Sequence, residues 1–132
     1  MEQQLKYIGT IHSDLKRLED CPLQESESAI EAIIEIFPEF LEGVSTIKSG
    51  SEIILFTWLH QADRTVLKTR PRNNPKTELT SVFSTRSPDR PNPIGIHFVK
   101  VISVSGDNRL KVAGLEVLDQ TPLIDIKPDF KR

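Results

Sequence analysis

The chain has 132 residues, 37% of them hydrophobic and 27% charged, which is enough for one domain with its own core. The formal net charge of −2 excludes a protein that holds nucleic acid through an overall basic excess, and no apolar run approaches the roughly 18 residues that a membrane-spanning helix needs. The single cysteine, Cys21, excludes an internal disulfide, and the N-terminus lacks the apolar stretch of a secretory signal, so we expect a cytoplasmic protein. From its length we expect one domain over residues 1–132.

The first half of the chain predicts strands and one short helical turn. Residues 6–12 alternate loosely between apolar and polar side chains, as in a strand. Residues 29–37 are ambiguous, because their isoleucines favour a strand while alanine and glutamate permit a helix. A proline at the start and a glycine at the end predict a helical turn over residues 38–43. The nearly continuous apolar run of residues 51–60 is the best candidate for a central strand.

The second half of the chain is also dominated by strand-like segments. Residues 64–78 are polar and contain two prolines, which predicts an exposed connection before a strand at residues 80–84. Residues 96–104 and 109–118 flank a Gly- and Asn-containing turn and predict a hairpin. At least five strands with little helix predict a mainly β fold, a small closed or partly closed barrel.

Basic residues are concentrated in the middle of the chain. Seven of the 17 basic residues lie between positions 64 and 90, namely Arg64, Lys68, Arg70, Arg72, Lys76, Arg86 and Arg90. They form either a local surface for a nucleic-acid backbone or ordinary solvated loop charges.

The run from Phe83 to Ile96 is a stiff, cationic loop. Its three prolines fix φ and remove backbone donors, so the loop cannot be a regular helix or a central strand. Arg86 and Arg90 are therefore mounted on a rigid support, which suits a binding site.

Polar residues follow apolar segments in three clusters, at residues 60–63, 86–92 and 118–128. Loops at strand ends commonly build sites in β folds. Simpler interpretations exist for the first and the third cluster: His60 caps a strand, Asp119 and Thr121 form an Asx-type turn, and Asp125 pairs with Lys127 in solvent. The sequence contains no phosphate-binding loop, no nucleophile elbow and no metal-ligand spacing among its three histidines.

Several short motifs are spread along the chain: Tyr7-Ile-Gly-Thr-Ile11, Leu59-His-Gln-Ala-Asp63, Arg70-Pro-Arg72, Phe83-Ser-Thr-Arg-Ser87, Arg90-Pro-Asn-Pro-Ile-Gly95, Leu118-Asp-Gln-Thr-Pro122 and Asp125-Ile-Lys-Pro128. Together these motifs resemble the TsaA-like family of TrmO type. The resemblance covers nearly the whole chain. It implies a closed single-sheet β-barrel, a strand at residues 29–37, a homodimer and S-adenosylmethionine as methyl donor. The implied reaction is methylation of N6 of threonylcarbamoyladenosine at position 37 of tRNA, in the anticodon loop.

The resemblance also implies which residues form the site. The donor pocket would use Pro22, Leu23, Gln24, His60, Gln61, Arg86, Ile96, Leu118, Asp119, Gln120, Thr121 and Pro122. We expect Asp125 to act as the base or orienting group, and the substrate to meet Arg70, Arg72, Arg90 and Lys127. Arg90 has a second reading, as a brace for its own loop. The alternative functions are a non-catalytic module that binds the donor or RNA, and a methyltransferase for a small molecule.

Overall fold

The structure is a computed structural model that describes residues 3–15, 30–71 and 74–130. Its strands are β1 Gly9–His12, β2 Glu31–Ile36, β3 Glu52–Trp58, β4 Lys68–Thr69, β5 Thr80–Ser81, β6 Ile94–Ser105, β7 Arg109–Ala113 and β8 Thr121–Pro128. Two 3₁₀ helices accompany them, η1 Pro38–Val44 and η2 Val82–Ser84.

Six strands form one closed antiparallel barrel in the order β1-β2-β7-β6-β3-β8, with β8 paired back onto β1. The predicted mainly β, closed barrel is confirmed. Within the ambiguous segment at residues 29–37, Glu31–Ile36 forms strand β2, as the resemblance implied, and the predicted helical turn at residues 38–43 lies in η1.

The core lies inside the barrel and is built by alternation along the strands. Most inward positions are apolar and almost fully buried, among them Ile11, Ile34, Leu55, Val101, Val112 and Leu123. Each such side chain contributes about 1.5–3 kcal/mol relative to remaining exposed.

The strand that closes the barrel was not predicted. β8 lies in a tail that contains Pro122 and Pro128, and proline normally argues against a strand. In the structure Pro122 is the second and Pro128 the last residue of β8, so both prolines lie at its ends. The ladder between β3 and β8 also contains an irregularity after Phe56.

Three other predicted segments differ in extent. The exposed connection at residues 64–78 includes β4, which pairs with β5 in a small separate hairpin. The strand predicted at residues 80–84 lasts for two residues and then becomes η2. β7 ends at Ala113 instead of residue 118, because Gly114 takes a φ of 91° that breaks the ladder.

Strand direction brings the polar clusters to one end of the barrel. β1, β3 and β7 finish at this end, while β2, β6 and β8 begin there. We call it the upper end. The turn after β3, the loop before β6 and the turn before β8 all lie at the upper end.

The outer surface of the barrel has two unlike walls. On β1, β2 and β7 the outward residues are mostly polar or charged, and we call this the polar wall: Thr10, His12, Glu31, Ile33, Glu35, Arg109 and Lys111. On β3 and β6 they are apolar and face each other in cross-strand pairs, and we call this the apolar wall: Ile54 with Phe98, Phe56 with Ile96, and Trp58 with Ile94.

Candidate functional site

The tight turn from Leu118 to Thr121 is the most constrained part of the upper end. The amide and hydroxyl of Thr121 both donate to the carbonyl of Leu118, at 3.2 and 2.6 Å. Gln120 has a φ of 70°, at the third position of the turn. A positive φ there is typical of a type II turn, which prefers Gly or Asn. A residue with a Cβ in this conformation carries a strain of about 1–2 kcal/mol.

Contacts with β1 and the residues after it hold the turn in place. The amide of Gln120 donates to the carbonyl of Ile11 at 2.7 Å, and the amide of Asp119 donates to the carbonyl of Leu15 at 2.7 Å. The Asp119 carboxylate accepts a hydrogen bond from the Ser13 amide at 2.9 Å. The carboxylate is therefore fixed in direction by its surroundings, as a hydrogen-bond acceptor for a ligand should be.

A groove of about 510 Å³ lies beside this turn. Its walls carry both signs of charge, from Asp14, Glu31, Lys111 and Asp119, and they also include the imidazole of His12. Sites for small molecules and cofactors have volumes of roughly 300–1,000 Å³. The groove therefore has the size and polarity for a nucleoside-like ligand.

A hydrogen-bonded chain connects the polar wall to the turn, and the sequence did not reveal it. His12 Nε2 is 2.7 Å from a carboxylate oxygen of Glu35, and His12 Nδ1 is 3.0 Å from Gln120 Nε2. In the sequence His12 is one of three histidines that lack the spacing of metal ligands. The available signal was its position at the end of β1, in outward phase with Thr10.

The two remaining polar clusters are tied together at the upper end. The amide of Asp63 donates to Asp89 at 2.8 Å, and Leu59 donates to the carbonyl of Pro93 at 2.8 Å. Arg64 donates from Nε to the carbonyl of Pro91 at 2.7 Å and stacks over the ring of Trp58, 5.0 Å from its centroid. In the sequence Arg64 was recognisable only as one of the basic residues between positions 64 and 90.

The Asp63 carboxylate stabilises the turn that follows His60 and Gln61. It accepts hydrogen bonds from the hydroxyl and the amide of Thr65, at 2.6 and 2.9 Å. The side-chain bond from Thr65, followed by the backbone bond, lowers the pKa of Asp63 below its ordinary value. His60 and Gln61 are exposed at the upper end.

The two arginines of the stiff loop have different environments. Arg90 donates from Nε to the carbonyl of Ser87 at 2.8 Å, and its Nη2 donates to the carbonyls of Val82 and Thr85. These contacts favour the reading of Arg90 as a brace for its own loop. Arg86 is exposed.

Three further predicted site residues lie on the outside of the barrel. Ile96, with 38% of its surface exposed, is in the apolar wall opposite Phe56. Asp125 also pairs in register with Phe56, at the β8 margin of this wall. Lys127 Nζ is 3.2 Å from an Asp125 carboxylate oxygen and 6.0 Å from the Phe56 ring centroid. The structure thus contains the solvated Asp125–Lys127 pair that was the simpler reading of this motif.

The remaining predicted residues divide into buried, exposed and undescribed ones. In the turn, Leu118 and Thr121 are buried, and Pro122 is half-buried. Arg70 is exposed and donates to the carbonyl of Thr77. Pro22, Leu23, Gln24 and Arg72 lie outside the described residues.

Comparison with known proteins gives a family for the chain. Residues 10–132 match the family model described as the tRNA-methyltransferase O N-terminal domain. The chain belongs to this family. The TsaA-like resemblance is thereby confirmed.

Relatives in this family are named for the donor. A probable S-adenosyl-L-methionine-binding protein of Methanothermobacter thermautotrophicus is 40% identical over 99% of this chain and 93% of its own length. An S-adenosyl-L-methionine-binding protein of Archaeoglobus fulgidus is 42% identical over 93% of this chain and 86% of its own length.

The fold also matches a solved member of the family. The crystal structure of TrmO from Pseudomonas aeruginosa superposes with a TM-score of 0.76 and 29% identity over 98% of this chain. The chain spans 57% of that TrmO chain. Within residues 3–15, 30–71 and 74–130, no helix is long and apolar enough to cross a membrane.

Proposed function

We propose that this protein transfers a methyl group from S-adenosylmethionine to N6 of threonylcarbamoyladenosine at position 37 of tRNA. The observation that carries the proposal is the fixed Asp119 turn beside a groove of about 510 Å³, in a chain whose relatives are named for S-adenosylmethionine binding. TrmO, similar in fold at 29% identity, adds support for transfer to tRNA.

The upper end of the barrel supplies groups that suit this donor. Asp119, held by Ser13, would accept hydrogen bonds from ribose hydroxyls. Arg86 would pair with the carboxylate of the methionine part, because its guanidinium is planar and permanently charged. His60 and Gln61 lie at the same end, and backbone groups of the turn would read the adenine edge. Asp119 is the member of this set that lines the groove, and its acceptor carboxylate fits the ribose hydroxyls of the donor.

The bound donor would supply a methyl group on a positively charged sulfur. In the proposed transfer the acceptor nitrogen forms a bond to the methyl carbon while the carbon–sulfur bond breaks, and sulfur keeps the electron pair. Rigid positioning is the main contribution of the chain, since orientation of reacting groups is worth about 7–11 kcal/mol. The acceptor nitrogen also loses a proton, and Asp125 is the base that we propose.

Asp125 requires a change of partner to act as a base. Its carboxylate is paired with Lys127 at 3.2 Å, and both side chains are largely exposed. An anionic substrate that draws Lys127 away would leave Asp125 free to accept a proton. If the Asp125→Asn variant binds the donor normally and keeps full turnover, Asp125 is not the base.

The tRNA would meet the basic segment from residue 64 to 90. Arg70, Arg72 and Lys127 are proposed contacts with the phosphate backbone, because lysine and arginine supply most phosphate contacts in such complexes. Arg90, with its guanidinium held by three carbonyl groups, would act by shaping the loop that presents Arg86.

The apolar wall would bind a second copy of the chain. Ile94, Ile96 and Phe98 are between 38% and 48% exposed there, an unusual state for neighbouring apolar side chains of one strand. One border carries both signs of charge, with Glu52 opposite Lys100. A two-fold interface brings one border against itself, so mixed charges allow complementary pairing.

The alternative function is a module that binds the donor or RNA without catalysis, and the names of the relatives fit this reading as well. Calorimetry with S-adenosylmethionine, followed by incubation with anticodon stem-loops with and without the threonylcarbamoyl group, separates the two. Methylation of only the modified stem-loop is the expected result. Donor binding without any methylated nucleoside would favour the module, and no donor binding would contradict both.

A further inference from the structure

Gln120 stands at a backbone position that disfavours it. Its φ of 70° is one that Gly and Asn adopt far more readily than glutamine. The carbonyl of Ile11 fixes this conformation through the Gln120 amide at 2.7 Å, a contact that a glycine would make equally well. The strain therefore calls for a role of the side chain.

Four side chains form a chain of hydrogen bonds in the order Glu35, His12, Gln120 and Asp119, so Gln120 links His12 to Asp119. Because Glu35 is an acceptor at 2.7 Å from His12 Nε2, the neutral ring carries its proton on Nε2. His12 Nδ1 then accepts from the Gln120 amide nitrogen at 3.0 Å. The second hydrogen of that nitrogen points to Asp119 Oδ2, at 3.3 Å.

The chain ends on the carboxylate that faces the candidate groove. Asp119 Oδ1 receives the Ser13 amide at 2.9 Å, and Oδ2 receives Gln120 at 3.3 Å. The two donors approach different oxygens, so together they set the rotation of the carboxylate as well as its position. Rotation decides whether the remaining lone pairs of a carboxylate point toward a ligand.

We propose that Gln120 is a positioning residue, which the Glu35–His12 pair holds so that it orients the Asp119 carboxylate for the ribose hydroxyls of the donor. This role rests on the proposed function. It gives the polar wall a part in donor binding, although Glu35 lies on the outside of the barrel.

Protonation of His12 would reverse the arrangement. A hydrogen on Nδ1 cannot face the amide nitrogen of Gln120, so the amide would turn and offer its oxygen instead. The hydrogen bond to Asp119 Oδ2 would then be lost. The charges that face His12 are Glu35 on β2, Asp119 in the turn, and Asp14, Glu31 and Lys111 around the groove.

The first test compares Gln120→Gly with the wild-type chain. Glycine relieves the strain, so the melting temperature should rise by about 3–5 °C. Loss of the hydrogen bond to Asp119 should nevertheless weaken S-adenosylmethionine binding by about 3–10-fold in calorimetry at pH 8. If the Gln120 side chain had a purely structural role, replacing it would not raise the melting temperature and weaken donor binding at the same time. Gln120→Asn is the matched control, because asparagine tolerates the positive φ but is too short to reach His12, and it should weaken binding to the same extent.

The second test uses pH and a double-mutant cycle. Between about pH 8 and pH 5.5, the range in which histidines titrate, wild-type binding should weaken, and His12→Asn should lose that part of the dependence. His60 also belongs to the proposed donor set, so His60→Asn is the control and should retain the part of the pH dependence that His12 causes. In the Gln120→Gly background, His12→Asn should have no further effect, since both changes break one chain.

Three results would overturn the role. They are wild-type affinity in Gln120→Gly, independent effects of the His12 and Gln120 variants, and a proton on His12 Nδ1 of the neutral ring in nitrogen NMR spectra. A wild-type chain that binds no S-adenosylmethionine would instead overturn the proposed function, and this role with it.

Discussion

The two outer walls of the barrel lie on different strands of one closed sheet, and their outward side chains differ in polarity. On the polar wall, Glu31 pairs with Lys111 and His12 pairs with Glu35, so these polar side chains have partners at a hydrated surface. On the apolar wall, Ile94, Ile96 and Phe98 are between 38% and 48% exposed. Exposure to water is favourable for the polar side chains of the first wall and unfavourable for the apolar side chains of the second.

This difference separates the roles that we propose for the two walls. Hydrogen bonds have direction, so the polar wall can position single atoms such as the Asp119 oxygens. Apolar contact has no direction and grows with area, so the apolar wall suits a broad contact with another copy. The upper end of the barrel, where the polar clusters meet, borders both walls.

The largest effect in the comparison should come from glycines beneath each wall. A Cβ on Gly9, under the polar wall, would lie 2.3 Å from the backbone carbonyl oxygen of Glu35. A Cβ on Gly95, under the apolar wall, would meet side-chain atoms, Thr57 Oγ1 at 2.5 Å and His97 Nε2 at 2.6 Å. Backbone yields less than side chains, so we expect Gly9→Ala to cost more than about 3 kcal/mol of unfolding free energy and Gly95→Ala about 1–3 kcal/mol.

Urea unfolding of both variants checks this order. Gly43→Ala is the control, because a Cβ there meets nothing within 4 Å. A smaller loss for Gly9→Ala than for Gly95→Ala would mean that the β1–β2 ladder is looser than described.

The next effect concerns assembly through the apolar wall. We expect Phe98→Glu to weaken association of two copies by about 100-fold, because the interface would bury a carboxylate without a partner. Analytical ultracentrifugation across a concentration series measures the shift. Ile33→Glu is the matched control on the polar wall, where Lys111 is its cross-strand neighbour, and it should leave assembly unchanged. Equal effects of both variants, or a monomeric wild-type chain, would remove the proposed distinction between the walls.

A smaller effect should follow from breaking an ion pair on the polar wall. Lys111 Nζ is 3.2 Å from Glu31, and the two side chains are 43% and 50% exposed. Exposed pairs are screened by water, so Lys111→Met should change the unfolding free energy by less than about 1 kcal/mol. Thermal unfolding at low and high salt checks this value. A larger loss would show that the pair is more than a surface contact.

The smallest effect is local to the turn after β3. The Thr65 hydroxyl and amide lower the pKa of Asp63, so this carboxylate stabilises the fold above its ordinary pKa and loses that contribution as pH falls through the lowered pKa. Thr65→Val removes the hydroxyl and should raise the pKa of Asp63 toward its ordinary value. Carbon NMR titration of the Asp63 carboxyl measures this. An unchanged pKa would show that the amide of Thr65 suffices.

The sequence predicted the barrel, but not the strand that closes it. Pro122 and Pro128 argued against a strand in this segment. Both lie at the ends of β8, and these ends are defined by pairing with β1 and β3, which the sequence does not show. The apolar run at residues 51–60 predicted a central strand, and β3 is indeed paired on both sides, with β6 and β8. The sequence did not show that its outward side chains form the apolar wall. A linear pattern records which side chains are apolar and leaves open whether a neighbour covers them.

Side-chain contacts were the least predictable feature of the site. The chain from Glu35 through His12 to Gln120 joins residues that are 23 and 108 positions apart, and only the closed barrel brings them together. Similarly, the brace that Arg90 forms could not be distinguished from a substrate contact until its three carbonyl partners were visible.

The most direct test of the proposed methyl transfer follows the methyl group itself. The protein is incubated with S-adenosylmethionine labelled with deuterium on the methyl carbon, together with tRNA that carries threonylcarbamoyladenosine at position 37, and the nucleosides are analysed by mass spectrometry. We predict one labelled methyl group on N6 of that nucleoside, and none on tRNA that lacks the threonylcarbamoyl group. Tight donor binding with no labelled nucleoside from either tRNA would contradict the proposed activity.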